Sequence, residues 1–256
     1  MVEYPFTKAN RLQLAHAFHQ VEHVDLSIDC VIEGQMGHAF VDQIESPLVY
    51  KIQTGPFVYM AGEPACPQGQ EMLDSIPQGM LLMPSSPGWL QAALAFYKEG
   101  LRPFDRYRFS AAQLSLEHLQ TCRASTPFDQ LIQRMQLPLA QEFWGQEHFI
   151  DLSDYDSPAD FIQRGIGYTF SQQNNVVGAA YASLVCSRGI EVSIFVEDNY
   201  RRQGLATALA SHLLGWCLEH NLEPHWDAAN PESCSLAMKL GYKALGSYEA
   251  HYLWTK

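Results

Sequence analysis

The order of elements legible in the last third of this chain predicts an α/β fold built on a mixed sheet. Three observations carry that prediction. Two adjacent runs have strand composition, Val176 to Cys186 and Ile190 to Val196, with a turn at Gly189 between them. Leu205, Leu209, Leu213, Trp216 and Cys217 then recur at the spacing of one helix face, through about Asn221. A second helix opens at Asn230-Pro231, an N-cap followed by a proline in the first turn, and closes at Gly241.

The two strand runs are simplest as an antiparallel pair, and Glu197 to Tyr200 breaks the pattern before the first helix. Pro224 to Asp227 has the length of a short strand, and a final strand runs from Tyr242 towards Trp254. Strand, strand, helix, strand, helix, strand is thus the order, which gives the mixed sheet. Upstream, Phe128 to Phe143 carries Leu131, Ile132, Met135, Leu139 and Phe143 near helical spacing and predicts a helix that Pro138 interrupts or kinks. Ser157 to Arg164 predicts another short helix. The first part of the chain has its own strands, Val49 to Gln53 and Phe57 to Met60, and a helix from Trp89 to Glu99 ending at Gly100. Two domains follow, 1–110 and 111–256. The run Leu94 to Leu101 resembles Leu236 to Tyr242 if one gap is allowed, and Pro87 and Pro231 precede the two helices similarly. Two alternatives for residues 1–110 stay open: a degenerate second copy of the same fold that has lost its ligand turn, and an unrelated partner-interaction domain.

Bulk properties narrow the function. With 256 residues and 47% apolar content the chain is long enough for two modest cores. Sixteen Lys and Arg against 28 Asp and Glu give a net charge of −12, a field that disfavours nucleic acid and weakly favours cationic acceptors such as amines. The six cysteines are scattered, with no pair at zinc-knuckle or redox spacing, and read as reduced thiols. The N-terminus lacks a signal-peptide pattern, and no apolar run reaches the roughly 18 residues of a membrane span, so a soluble cytoplasmic protein is expected. His16, His19 and His23 lie at i, i+3, i+7, but without further converging ligands they assign no metal site. The oligomeric state is left open.

The most informative segment is Arg201-Arg202-Gln203-Gly204-Leu205-Ala206. A diphosphate needs several N–H donors converging on it, and a glycine turn at a helix N-terminus supplies them while the helix dipole favours the anion. Gly204 lets the backbone approach without a Cβ, Arg201 and Arg202 add local positive charge, and small Ala206 permits close approach. No Lys-Ser or Lys-Thr follows the glycine, so this is not a P-loop, and the glycine triplet of a dinucleotide site is absent.

With its strand before and helix after, this turn resembles the GNAT superfamily pattern of Arg or Gln, two residues, Gly, one residue, then Gly or Ala. The resemblance runs over roughly residues 165 to 254, through Pro224-His225-Trp226-Asp227, Asn230, Ser233 and Lys239-Leu240-Gly241-Tyr242. It implies a mostly antiparallel GNAT-type sheet flanked by helices and direct transfer of an acetyl group from acetyl-coenzyme A to an amine acceptor. It also implies that amides from Gln203 to Ala206 hold the pyrophosphate, that Phe195 and Val196 at the strand end meet the pantetheine arm, and that Asn230 and Ser233 contact the cofactor.

Such a transfer needs a neutral nucleophile, a polarised thioester and a proton route to the departing thiolate. Glu191 is the candidate base, since the family often places a carboxylate on the strand before the turn. Strand alternation puts Glu191, Ser193 and Phe195 on one face, and a bulge would change which side meets substrate. Many family members carry a tyrosine four residues before the glycine ending the late helix, where its hydroxyl protonates the thiolate. This chain has Ala237 there. That departure leaves Tyr248 as the candidate acid, with Ser233, Cys234, His251, Tyr252 and water as alternative donors, and it admits a noncatalytic protein that binds coenzyme A or an acyl-coenzyme A as a sensor. His225 and Asp227 share one side of their short strand, where substrate binding and plain capping are both open readings.

Overall fold

The structure is a computed structural model that describes residues 1–144 and 150–254. The chain divides into two compact units, Met1–Arg106 with Ser247–Lys256, and Tyr107–Gly246. The last segment therefore lies with the first.

The first unit runs β1 (Val2–Glu3), α1 (Lys8–Phe18), α2 (Ser27–Ile32), β2 (His38–Val41), β3 (Val49–Thr54), β4 (Phe57–Gly62), α3 (Pro67–Asp74), β5 (Leu81–Leu82) and α4 (Pro87–Tyr97). Strands β1 to β4 pair antiparallel in sequence order, and β5 pairs parallel to β4. Alternation along β4 supplies two cores: Tyr59 and Ala61 pack with Leu14, Phe18, Ile28 and Val31 of α1 and α2, whereas Val58 and Met60 pack with Met72, Leu73, Trp89 and Ala93 of α3 and α4. The helix expected from Trp89 begins earlier, at Pro87, because Ser86 caps it. Helix α1 stops at Phe18, so His23 is not on the helix that holds His16; it pairs with Asp29 instead.

Strand β6 (Leu101–Ser110) leads into the second unit, which continues with α5 (Leu116–Ala124), β7 (Gln133–Arg134), α6 (Leu137–Phe143), α7 (Pro158–Arg164), β8 (Gly167–Gln172), β9 (Asn175–Val185), β10 (Gly189–Val196), α8 (Leu205–Glu219), β11 (Glu223–His225), β12 (Asp227–Ala228) and α9 (Pro231–Leu240). Its five-stranded sheet has the order β11-β10-β9-β8-β7, antiparallel except for the parallel pair β10 and β11. Strand β12 pairs with Tyr107 and Arg108 of β6. Helix α8 covers the sheet with Leu205, Leu209 and Leu213, and it comes close enough that a Cβ on Gly178 of β9 would lie 2.9 Å from both Leu205 and Leu209. A larger residue there would push both leucine side chains aside.

One expected helix is absent. Phe128 to Phe143 does not form a single kinked helix: a 3-10 turn at Asp129–Leu131 and β7 occupy its first half, and Pro138 sits in the first turn of α6. Proline starts this helix because its missing N–H costs nothing at that position. Finally, β13 (Lys243–Leu253) leaves the second unit, and its distal end pairs antiparallel with β5 through His251↔Leu82 and Tyr252↔Leu81. No described helix is long and apolar enough to cross a membrane.

Candidate active site

Strand β10 delivers two local features of the second unit. At its end, a 3-10 turn over Asp198–Tyr200 turns the chain towards α8. Arg201 folds back, its Nε donating to the Val196 carbonyl at 3.2 Å and its guanidinium meeting Asp198 at 2.9 Å, so its side chain braces the turn. Arg202 takes φ +60, and Gln203 Nε2 donates to the Asn199 carbonyl at 2.7 Å. Gly204 follows at φ +91 and is the N-cap of α8, with no side chain capping the helix. The first-turn N–H groups of a helix have no intrahelical acceptor, so here they stand as a cluster of donors at the positive end of a long helix. Thr126 lies directly beside: its Oγ1 donates to the Arg123 carbonyl, and its methyl would meet a Cβ on Gly204 at 3.1 Å. Leu205 is buried core, and Ala206 packs half-buried against it.

The second feature is the point where β10 and β11 part. Their ladder spans Gly189↔Glu223, Ile190↔Pro224 and Glu191↔His225, whereas β10 continues along β9 to Val196↔Gly178. A register shift between Glu191 and Val192 marks a bulge at this point. Strict alternation along β10 is broken there, and Ile190 and Glu191 are both buried. The Glu191 carboxylate meets His225 at the last rung, Nδ1 donating to Oε2 at 2.9 Å, with both side chains about nine-tenths buried. Phe195 and Val196 lie beyond the parting, Phe195 half-buried and Val196 buried.

A family model described as GNAT acetyltransferase matches residues 15–251 of the chain. This protein belongs to the GNAT acetyltransferase family. It is similar to a GCN5-related N-acetyltransferase-like protein from Streptococcus suis, with a TM-score of 0.80 and 26% identity over 94% of this chain and 97% of that one. A GCN5-related N-acetyltransferase from Sphaerobacter thermophilus shares the fold, with a TM-score of 0.54 and 12% identity over 98% and 94% of the two chains. The uncharacterized N-acetyltransferase YdfB of Bacillus subtilis is 30% identical over 100 residues, a match that spans 38% of either protein.

In this GNAT chain the other expected residues are placed as follows. Asn230 caps α9, its Oδ1 accepting from Ser233 N at 2.8 Å, and Ser233 Oγ accepts from Trp226 Nε1 at 3.1 Å. Both side chains thus hold the β12–α9 junction in shape. Ala237 is wholly buried, so the position expected to carry a tyrosine is part of the core. Cys234, beside it on α9, has a thiol pushed up by burial. Tyr248, His251 and Tyr252 fall in the first unit, where the Tyr248 hydroxyl accepts from Arg106 Nε at 3.2 Å and burial pushes His251 down. The second unit therefore brings together the Arg201 to Ala206 turn, the end of β10, Glu191 and His225. Two participants escape a reading by motif: Thr126, which sits far from Gly204 in sequence, and the union of Glu191 with His225.

Proposed function

We propose that the protein transfers an acetyl group from acetyl-coenzyme A directly to an amine acceptor. The observation that carries this reading is the N-terminus of α8, capped by a left-handed glycine rather than by a side chain. Such an end favours a bound anion, because free N–H donors and the helix dipole act together on it. The residues fit a pyrophosphate: Gly204 offers no Cβ, and Arg202 lies exposed on the same turn. Amides of residues 203 to 206 would hold the pyrophosphate, and β10 beyond Glu191, where the β11 ladder no longer runs, would meet the pantetheine amides through Phe195 and Val196. An acidic chain with a carboxylate at the strand parting suits an amine that arrives as a cation.

The test is calorimetric titration with acetyl-coenzyme A, followed by thiol release across a panel of small amines and amino-terminal peptides. Micromolar binding and acceptor-dependent release are expected. Folded protein that fails to bind at millimolar acetyl-coenzyme A would sink the reading. The buried Ala237 favours one rival, a sensor that binds the cofactor without turnover, and binding without release under every acceptor would establish it instead.

A further inference from the structure

We propose that the groove between α5 and α8 is a second binding site, one that takes a small zwitterion: a molecule the size of glycine or alanine, carrying a carboxylate and an ammonium. The site goes beyond acyl transfer and does not depend on that reading. It lies wholly within the second unit, as a cavity of about 90 Å³ walled by α5, α8 and Tyr168 of β8. That volume matches about three waters at their share of the liquid and is smaller than the roughly 150 Å³ cavity that holds benzene. Gly215 lines it, so α8 has no side chain there to fill the space.

The observation that calls for a ligand is Ser211. It lines the cavity, it is only 1% exposed, and its Oγ has no hydrogen-bond partner among the described residues. A buried hydroxyl both donates and accepts, and leaving it unsatisfied is costly. A serine within a helix can return its hydroxyl to the carbonyl one turn back, as Ser235 of α9 does to Pro231 at 2.9 Å. Ser211 does not.

Two charges lining the same cavity set the class of ligand. Arg123 of α5 meets Asp129 through Nε at 3.2 Å and His212 through Nη1 at 3.5 Å, while its Nη2 has no hydrogen-bond partner among the described residues. Glu219 of α8 makes no ion pair with a described residue. Both charges are felt at Tyr168: burial raises its phenol, Arg134 draws it down, Glu219 pushes it up and Arg123 draws it down again. An anion alone would be repelled by Glu219 and a cation alone by Arg123, whereas a zwitterion satisfies both ends. Its carboxylate accepts from Arg123 and from the Ser211 hydroxyl, and its ammonium donates to Glu219. Glu219 stands eight residues beyond Ser211, about 12 Å along the helix, and its side chain leans back towards Ser211. Two charge-assisted hydrogen bonds of about 2.8 Å and a short amino acid span the remainder.

The experiment titrates the full chain, labelled with 15N, with glycine and L-alanine, and reads the Trp216 indole and the amides from Ser211 to Gly215 by NMR. Acetate, methylamine and L-leucine serve as the carboxylate alone, the ammonium alone and an oversized amino acid. Glycine or alanine should shift these signals to saturation within tens of millimolar, and the three controls should not. S211A, which keeps the packing, should weaken the affinity roughly 5-fold or more, and E219Q, at an exposed position, roughly 10-fold or more. Failure of glycine and alanine to saturate overturns the inference. Acetate or methylamine binding as tightly as the amino acids would make this an ion's site and overturns it too. So do S211A and E219Q proteins that both bind as wild type does. Shifts confined to the end of β10 would place the amino acid at the acyl-transfer site and overturn the inference while leaving that reading intact.

Discussion

Helices α4 of the first unit and α8 of the second begin in opposite ways. Ser86 meets α4 in an extended conformation, its Oγ accepting from Trp89 N at 3.3 Å, and Pro87 removes one donor from the first turn. Gly204 meets α8 at φ +91 with no side chain to offer. Both helices press an apolar face into a core, as Trp89 and Ala93 do from α4 and Leu209 and Leu213 do from α8. The difference lies wholly at their ends. A capped terminus satisfies its donors within the chain and contributes stability, about 1 kcal/mol per cap. An uncapped one forgoes that contribution and keeps its donors for a ligand. Of these two ends, the one capped by a left-handed glycine is the one to test as a binding site.

The largest effect should come from closing that end. Gly204→Val places a β-branched residue in the left-handed region, at a cost of about 1–2 kcal/mol, and drives its Cβ towards Thr126. Acetyl-coenzyme A affinity measured by calorimetry should fall roughly 100-fold or more, about 2.7 kcal/mol, as the donors are displaced. If affinity survives, the turn is not the cofactor site and the contrast between the helices is one of stability alone.

Smaller effects should follow from opening the ends that are closed. Ser86→Ala in the first unit and Asn230→Ala at α9 should each lower unfolding free energy in urea by about 1 kcal/mol. Ser86→Ala should leave cofactor affinity within 2-fold, which Gly204→Val does not. A loss of affinity in Ser86→Ala would show that α4 also serves the ligand.

The smallest effect concerns pH, and here the units should agree in sign. Burial, then the neighbouring Arg123 charge, holds His212 of α8 below its ordinary value of 6.5, although Asp129 pulls the other way; burial does the same to His251 of β13 against Glu249. In both cases the unfolded chain binds a proton that the folded chain resists, so stability is full above the ordinary histidine range and declines as pH falls through about 6.5 towards the folded values. Urea midpoints between pH 8 and 5 should fall on acidification, and His212→Gln and His251→Gln should each flatten the decline. A midpoint that rises on acidification would mean that the carboxylate partners prevail.

What the sequence reveals of this molecule follows the range of the interactions. The turn at Gly204, the cap at Asn230 and the stop at Gly241 are set by residues a few positions apart, and each stands where local chemistry places it. Pro138 is local too, but its effect depends on whether a helix precedes it; since Gln133 and Arg134 pair with β8, the proline opens a helix instead of bending one. The approach of Glu191 to His225 requires the register of two strands and the bulge after Glu191, neither written in the motif itself. Thr126 beside Gly204 requires knowing where the chain after α5 lies. Mixed α/β architecture was legible from element order, whereas the pairing of the last strand with β5 was not, because Leu81 and Leu82 are too short a run to announce a strand.

That last pairing has a consequence for synthesis. Residues 1–106 of the first unit are translated before the second unit, yet His251 and Tyr252, translated after it, supply the neighbour of β5, and Ala250 and Leu253 enter its two cores. Its sheet stays one strand short while the whole of Tyr107–Gly246 is translated. Of the two units, the one begun first is thus finished after the other, and loss of Ala250 and Leu253 would be felt by its cores.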